Sequence, residues 1–176
     1  MSMQKKTPSE SRTILTDLVL TGETNHLHHM FGGELLARMD RAASIAAQRH
    51  SHHLAVTASV NHVAFNHSIQ LGSIVTVEAS ISRAFSTSME VYLDVWVEDH
   101  VTGERIKANE AIYTFVAVDE NGRPVKVPEI QPETELEKVR YEGALRRRQL
   151  SLVLAGKMKP HDATELKALF TELENE

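Results

Sequence analysis

Residues 31–50 read FGGELLARMDRAASIAAQRH, and the spacing of their apolar side chains sets the architecture. Leu35, Leu36, Met39, Ala43, Ala46 and Ala47 recur at helical intervals, which predicts one long helix. The density of Ala along that stripe permits close approach of another backbone layer. Gly32 and Gly33 stand where the preceding loop turns into the helix.

Working outward, RTILTDLVL at residues 12–20 reads as a strand, followed by the polar stretch TGETNHLHHM. Beyond the helix come four more strands, Leu54–Phe65, Ile74–Phe85, Met89–Asp99 and Arg105–Val118. The first of these alternates Val56, Ala58 and Val60 with Thr57, Ser59 and Asn61. The third alternates Met89, Val91, Leu93, Val95 and Val97 with Glu90, Tyr92, Asp94, Trp96 and Glu98. Consecutive strands favour an antiparallel sheet, and a single helix must cover one of its faces. The pattern is therefore α+β with one principal helix.

Proline marks the boundaries. None occurs between Pro8 and Pro124, after which Pro124, Pro128 and Pro132 arrive at intervals of four. A main domain is expected at 9–123, a Pro-containing linker at 124–133 and a helical tail at 134–176. The tail reads as two helices. One, about 133–156, carries Leu136, Val139, Leu145, Leu152 and Val153. The other opens at Pro160 with the capping-box spacing Asp162–x–x–Glu165, followed by Leu166, Leu169 and Phe170.

The 176 residues suit one domain with an appendage. With 41% hydrophobic and 24% charged residues, the chain is neither disordered nor collagen-like. No apolar run reaches membrane-spanning length, and the N-terminus has no apolar core of a secretory signal. The absence of Cys excludes disulfides, a thiol nucleophile and Cys-based metal sites. A net charge of −5 argues against nucleic acid as the main partner. A cytoplasmic location without membrane association is expected.

Two features of the helix carry chemistry. Gly32 and Gly33 let the chain approach a ligand closely, and free N–H groups at a helix N-terminus form an anion or oxyanion site. A tight packing corner is the alternative. Asp40 lies on the flank of the apolar stripe, where a carboxylate can serve as general base; the alternative is an ion pair with Arg38 or Arg41. Six of the ten histidines, His26, His28, His29, His50, His52 and His53, fall within 28 residues. His26, His28 and His29 lack the i, i+4 pairing of a helical zinc site, so surface imidazoles are favoured over a metallohydrolase and no metal is expected. His50, His52 and His53 close the helix, where imidazolium would suit the negative dipole end. Arg146, Arg147 and Arg148 read as a solvated helix face.

Thr24-Asn25-His26-Leu27, Phe31-Gly32-Gly33, Met39-Asp40, Val56-Thr57-Ala58-Ser59 and the closing Thr114-Phe115-Val116-Ala117-Val118-Asp119 together cover residues 12–122. In that order and spacing the sequence resembles the acyl-coenzyme A thioesterases of the hot-dog superfamily, in particular the bacterial cytosolic hydrolases and the mammalian cytosolic enzymes. The resemblance implies a hot-dog fold, a long antiparallel sheet wrapped around one central helix. It implies hydrolysis of acyl-CoA to free acid and coenzyme A, with no cofactor beyond the CoA of substrate and product. Asn25 and Asp40 fall on the family's catalytic pair, and Gly32 and Gly33 on the amides that meet the thioester carbonyl. His28 and His29 depart from the commonest pattern, which bears on substrate preference.

With the helix starting near Phe31, Asp40 lies roughly 13 Å along the axis, away from the end that holds Asn25. A two-fold dimer with antiparallel helices would bring Asp40 of one chain to Asn25 and Gly33 of the other. A trimer of dimers, a hexamer, is the expected assembly. Arg83, Thr87 and Ser88, at a strand–turn–strand junction, are candidate CoA contacts, with an ordinary hairpin turn as the alternative. The rival from another class is a non-catalytic acyl-CoA sensor; the ten or so residues before the first strand are too few for a DNA-binding module.

Overall fold

The computed structural model describes residues 4–173. A short helix, α1 (Pro8–Ser11), leads into β1 (Thr13–Leu18). A loop with a 3₁₀ turn at Thr21–Glu23 then enters α2 (Gly32–Ser51). Four strands follow: β2 (Leu54–Val63), β3 (Ile74–Ala84), β4 (Ser88–Glu98) and β5 (Arg105–Val118). They form one antiparallel sheet in the order β1-β3-β4-β5-β2, so β1 and β2 are its edges. The chain divides into two compact units, Met1–Gln131 and Pro132–Glu176.

In the first unit the sheet wraps α2 in the hot-dog arrangement, and the helix packs against all five strands. Leu35, Met39, Ala42, Ala43, Ala46 and Ala47 are buried on the helix. They meet Val75, Val77 and Ile81 of β3, Val91, Leu93 and Val95 of β4, and Ala111, Tyr113 and Phe115 of β5, all buried. The four buried alanines of α2 bring the helix close to the sheet. Burying each large apolar side chain contributes roughly 1.5–3 kcal/mol. The alternation read for β4 holds, with Met89, Val91, Leu93 and Val95 fully buried.

The alternation read for β2 does not hold. Register shifts between Thr57 and Ser59 and between Val60 and His62 break the two-residue period. Leu54, Val56 and Val60 are 61%, 52% and 48% exposed on this edge strand.

The segment after Pro124, expected as a connector, is stitched to the first unit as far as Gln131. Val125 N–H donates to the Ala117 carbonyl and Val127 N–H to Ser86. Lys6 N–H donates to Glu129 and Gln131 N–H to Lys6. Val127 and Ile130 are buried.

The charge at the end of α2 also differs from expectation. His50 is fully buried, and its Nε2–H donates to the Pro128 carbonyl at 2.8 Å. Burial pushes its imidazole below the ordinary 6.5, so it is not the cation at the dipole end. Lys6 takes that part instead: its ammonium donates to the His50 carbonyl at 2.9 Å, to Arg49 at 3.3 Å and to His52 Nε2 at 2.8 Å.

The second unit contains α3 (Glu135–Leu154), a 3₁₀ turn at Pro160–Asp162 and α4 (Thr164–Leu173). Thr134 caps α3 by accepting from Glu137 N–H at 3.2 Å, while Glu137 accepts from Thr134 N–H at 3.0 Å. The stripe expected on α3 is buried only in part: Leu136 and Val139 are 59% and 66% exposed, Leu145, Leu152 and Val153 are half-buried, and the buried residues are Ala144 and Gln149. Gln149 Oε1 accepts from Leu166 N–H at the start of α4. Asp162, expected to cap α4, is the last residue of the 3₁₀ turn, and the helix starts at Thr164. No described helix is long and apolar enough to cross a membrane.

Candidate active site

The loop before α2 is tied to the helix by a buried cation. Arg38, only 4% exposed, reaches from α2 to Glu23 at 2.9 Å and to Asp17 at 3.2 Å. The Glu23 carboxylate also accepts from Leu20 N–H at 2.8 Å, and its backbone carbonyl accepts from Phe31 N–H at 2.9 Å. The Leu20 amide and the Arg38 guanidinium hold its carboxyl below the usual range. This pairing removes Arg38 as a partner for Asp40.

Asn25 sits in that loop. Its Oδ1 accepts from Leu27 N–H at 2.9 Å and His29 N–H at 3.1 Å, which fixes the orientation of the amide. Its own N–H donates to the His29 carbonyl at 2.8 Å. The turn is completed by His28, whose φ of 57° is in the left-handed region. With Oδ1 engaged, Asn25 can offer a ligand only the donors of its Nδ2.

At the helix start, Phe31 supplies no side-chain cap, and the N–H groups of Gly32 and Gly33 have no acceptor among the described residues. The two glycines differ. A Cβ on Gly32 would lie 3.2 Å from the Phe65 ring, whereas one on Gly33 would meet nothing within 4 Å. Gly32 therefore fits the packing-corner reading, and Gly33 leaves an open approach to the free amides.

Asp40 lies eight residues beyond Gly32, about 12 Å along the axis. It is half-buried, and its Oδ1 accepts from the Thr57 hydroxyl of β2 at 2.7 Å. Tyr113 of β5 adds its hydroxyl nearby, donating to the Leu36 carbonyl at 3.3 Å. Burial, with the charge of Asp40, pushes the Tyr113 phenol up to about 12, so it stays protonated. Asn25 and Asp40 share no hydrogen bond within the chain. Thr57 and Tyr113 were not singled out as site residues from sequence. Thr57 lies within the stretch Val56-Thr57-Ala58-Ser59, but the cross-element bond that gives it a role has no sequence signal.

Among the proposed CoA contacts, Arg83 is half-buried near the end of β3, with its guanidinium 5.8 Å from the Phe85 ring. Thr87 is half-buried in the turn, its carbonyl taken by Ala117 N–H. Ser88 is buried at the start of β4. The histidines of the loop do not assemble with carboxylates: among the described residues no group of three or more His, Asp or Glu side chains could hold a metal ion.

The chain has counterparts among known proteins. A model of the thioesterase superfamily matches residues 27–104. The chain is 40% identical to the uncharacterized acyl-CoA thioester hydrolase YkhA of Bacillus subtilis, over 78% of this chain and 80% of that protein. The chain belongs to the acyl-CoA thioester hydrolase family. Among solved structures of the family, a hexameric apo acyl-CoA thioesterase superposes with a TM-score of 0.84 at 41% identity, covering 87% of this chain and 98% of that one. An acyl-CoA hydrolase of Staphylococcus aureus, solved with butyryl-CoA, CoA and CoA disulfide, gives 0.81 at 34% identity, covering 94% and 99%. Structures of that enzyme also include three single-alanine variants, at an Asn, an Asp and a Thr. The Asn and Asp are 15 positions apart and the Asp and Thr 17, the separations between Asn25, Asp40 and Thr57 here.

Proposed function

We propose that this protein hydrolyses acyl-CoA thioesters to free carboxylic acid and coenzyme A. The observation that carries the reading is the Asp40 carboxylate, oriented at one oxygen by Thr57 and left with Oδ2 for a water. The matching separations of Asn, Asp and Thr in the Staphylococcus aureus enzyme support it.

In this mechanism Asp40 accepts a proton from water as the water oxygen attacks the thioester carbonyl. The N–H groups of Gly32 and Gly33 stabilise the oxyanion, aided by the positive end of the helix dipole. Collapse of the intermediate breaks the C–S bond, and the proton held on Asp40 passes to the departing CoA thiolate. Asn25 donates through Nδ2 to the thioester or the attacking water, since its Oδ1 is already engaged. No cofactor is required.

The site is composite. One chain places Asp40 seven residues beyond its own Gly33, about two turns along α2, while β2 presents an unpaired edge with Leu54, Val56 and Val60 exposed. Such an edge is a template for strand pairing. Two-fold pairing of β2 with β2 of a second copy would run the two α2 helices antiparallel, setting Asp40 of one copy against Asn25 and Gly33 of the other. The hexameric relative is consistent with three such dimers. Arg83 and Thr87 are offered to the CoA phosphates and pantetheine arm. Ser88, being buried, could contribute only to the wall behind them.

Purified Asp40→Ala assayed for thiol release from acyl-CoA tests the reading. A loss of about a hundred- to ten-thousandfold in kcat is expected for removal of the general base; near-wild-type turnover would overturn it.

A further inference from the structure

Glu23 stands at the root of the two groups that this chain brings together at the start of α2. Its backbone carbonyl accepts from Phe31 N–H at 2.9 Å, immediately before the free amides of Gly32 and Gly33. Asn25 follows two residues later, in a turn closed by the Thr24–Met30 bridge and by Asn25 N–H donating to the His29 carbonyl. A displacement of Glu23 therefore shifts the Asn25 amide relative to the helix entrance.

One nitrogen holds the Glu23 side chain to α2. Arg38 Nη2 donates to both carboxylate oxygens, at 2.9 and 3.0 Å, and also reaches the Leu18 carbonyl at 3.3 Å and Asp17 at 3.2 Å. The far limb of the loop has a separate anchor, with Met30 N–H donating to the Ile69 carbonyl and Leu71 N–H to His28. The near limb, from Leu20 to Asn25, is joined to α2 by Arg38 and by the Phe31 bond. Arg38 is buried, yet its Nε and Nη1 have no hydrogen-bond partner among the described residues. A buried charge with unmet donors is an inefficient source of stability, and apolar replacement of such pairs is often neutral or stabilising. What the pair does supply is a fixed distance between helix and loop.

Resting on the thioesterase reading, we propose that Arg38 and Glu23 are positioning residues for turnover: through Glu23, the buried guanidinium sets the Asn25 amide against the Gly32 and Gly33 amides. Neither side chain touches substrate. The Asp17 branch is peripheral, because that carboxylate is exposed and its attraction is screened.

The test is thiol release from butyryl-CoA by the full chain, with thermal melting and amide hydrogen exchange alongside. In Arg38→Met/Glu23→Gln the charges go together, and the new amide oxygen still accepts from Leu20 N–H. Melting temperature should change little and KM should stay within about threefold, while kcat falls by about ten- to a hundredfold, the scale of an ångström-sized misplacement. Exchange should quicken across residues 20–31 and not along the rest of α2. Arg38→Lys, which also presents its donors from one nitrogen, should recover most of the turnover, and Asp17→Asn should stay within about twofold of the wild type. Wild-type kcat in the double variant, a fall in kcat without faster exchange at 20–31, or no recovery in Arg38→Lys would each overturn the proposal. Should the double variant not fold, Glu23→Gln alone decides: it loses one of the two contacts to Arg38, and kcat should drop by about threefold or more, unchanged kcat overturning the role. Failure of the wild type to hydrolyse any acyl-CoA is a separate result, which would remove the thioesterase reading and this proposal with it.

Discussion

The Thr57 hydroxyl on β2 donates to Asp40 Oδ1 on α2 at 2.7 Å. This bond joins the edge strand to the one helix and fixes the rotamer of the carboxylate proposed to act as base. Because Oδ1 is taken, the lone pairs of Oδ2 are directed at whatever occupies the site. The strand that would pair with a second copy thus also aims the proposed base.

Removing that bond should lower turnover with little effect on stability. Hydrogen bonds to charged groups contribute about 1.5–3 kcal/mol, so Thr57→Val should reduce kcat by about ten- to a hundredfold. KM should stay within about twofold, since Thr57 acts through Asp40. Thiol-release kinetics alongside thermal melting separates the two effects, and unchanged kcat would show that Asp40 is oriented by something else.

The two glycines should respond differently to alanine. Gly33→Ala adds a Cβ that meets nothing within 4 Å and replaces a poor helix former, so stability should hold or rise by up to about 1 kcal/mol. Activity should nevertheless fall, because the methyl group obstructs approach to the free amides. In Gly32→Ala the Phe65 ring must move from its 3.2 Å contact, and both melting temperature and activity should drop. Equal behaviour of the two variants in melting and thiol release would refute this distinction.

Buried His50 sets a pH dependence of stability. Its folded pKa lies below the unfolded value of 6.5, through burial, with Lys6 and His52 opposing its charge and Glu10 favouring it. Between the two pKa values the unfolded chain binds more protons, so stability declines as pH falls below 6.5. Urea unfolding at intervals from pH 7.5 to 5 should show this decline. It should be shallower in His50→Gln, once that variant's lower baseline is subtracted; an unchanged slope would assign the dependence elsewhere.

Charge on the exposed edge should separate subunits. Val56 is 52% exposed in the isolated chain, and Val56→Lys places an ammonium where strand pairing is proposed. Sedimentation should show smaller species than for the wild type, with turnover lost in parallel because the site is shared. An active monomer would refute the composite site.

Amphipathic period alone marked α2 and β4, since each buries one continuous stripe against a single layer. The same reasoning failed for β2, where register shifts at an edge strand cancel the period, and for α3, whose Leu136 and Val139 remain exposed. His50 illustrates the same limit. Its position at a helix end suggested a charge, but the chain between Pro124 and Gln131 returns to cover it and supplies the Pro128 carbonyl.

The order of motifs from Thr24 to Asp119 was sufficient by itself to identify the family, the central helix and the residue types available for chemistry, because these are properties of local spacing. Tertiary structure decided how those residues are engaged. It paired Arg38 with Glu23 instead of Asp40, brought Thr57 across 17 residues to the carboxylate, and turned Asn25 into a donor by occupying its Oδ1. Hydrogen-bond partners distant in sequence depend on where strands and loops meet in space, and no periodicity along one segment encodes them.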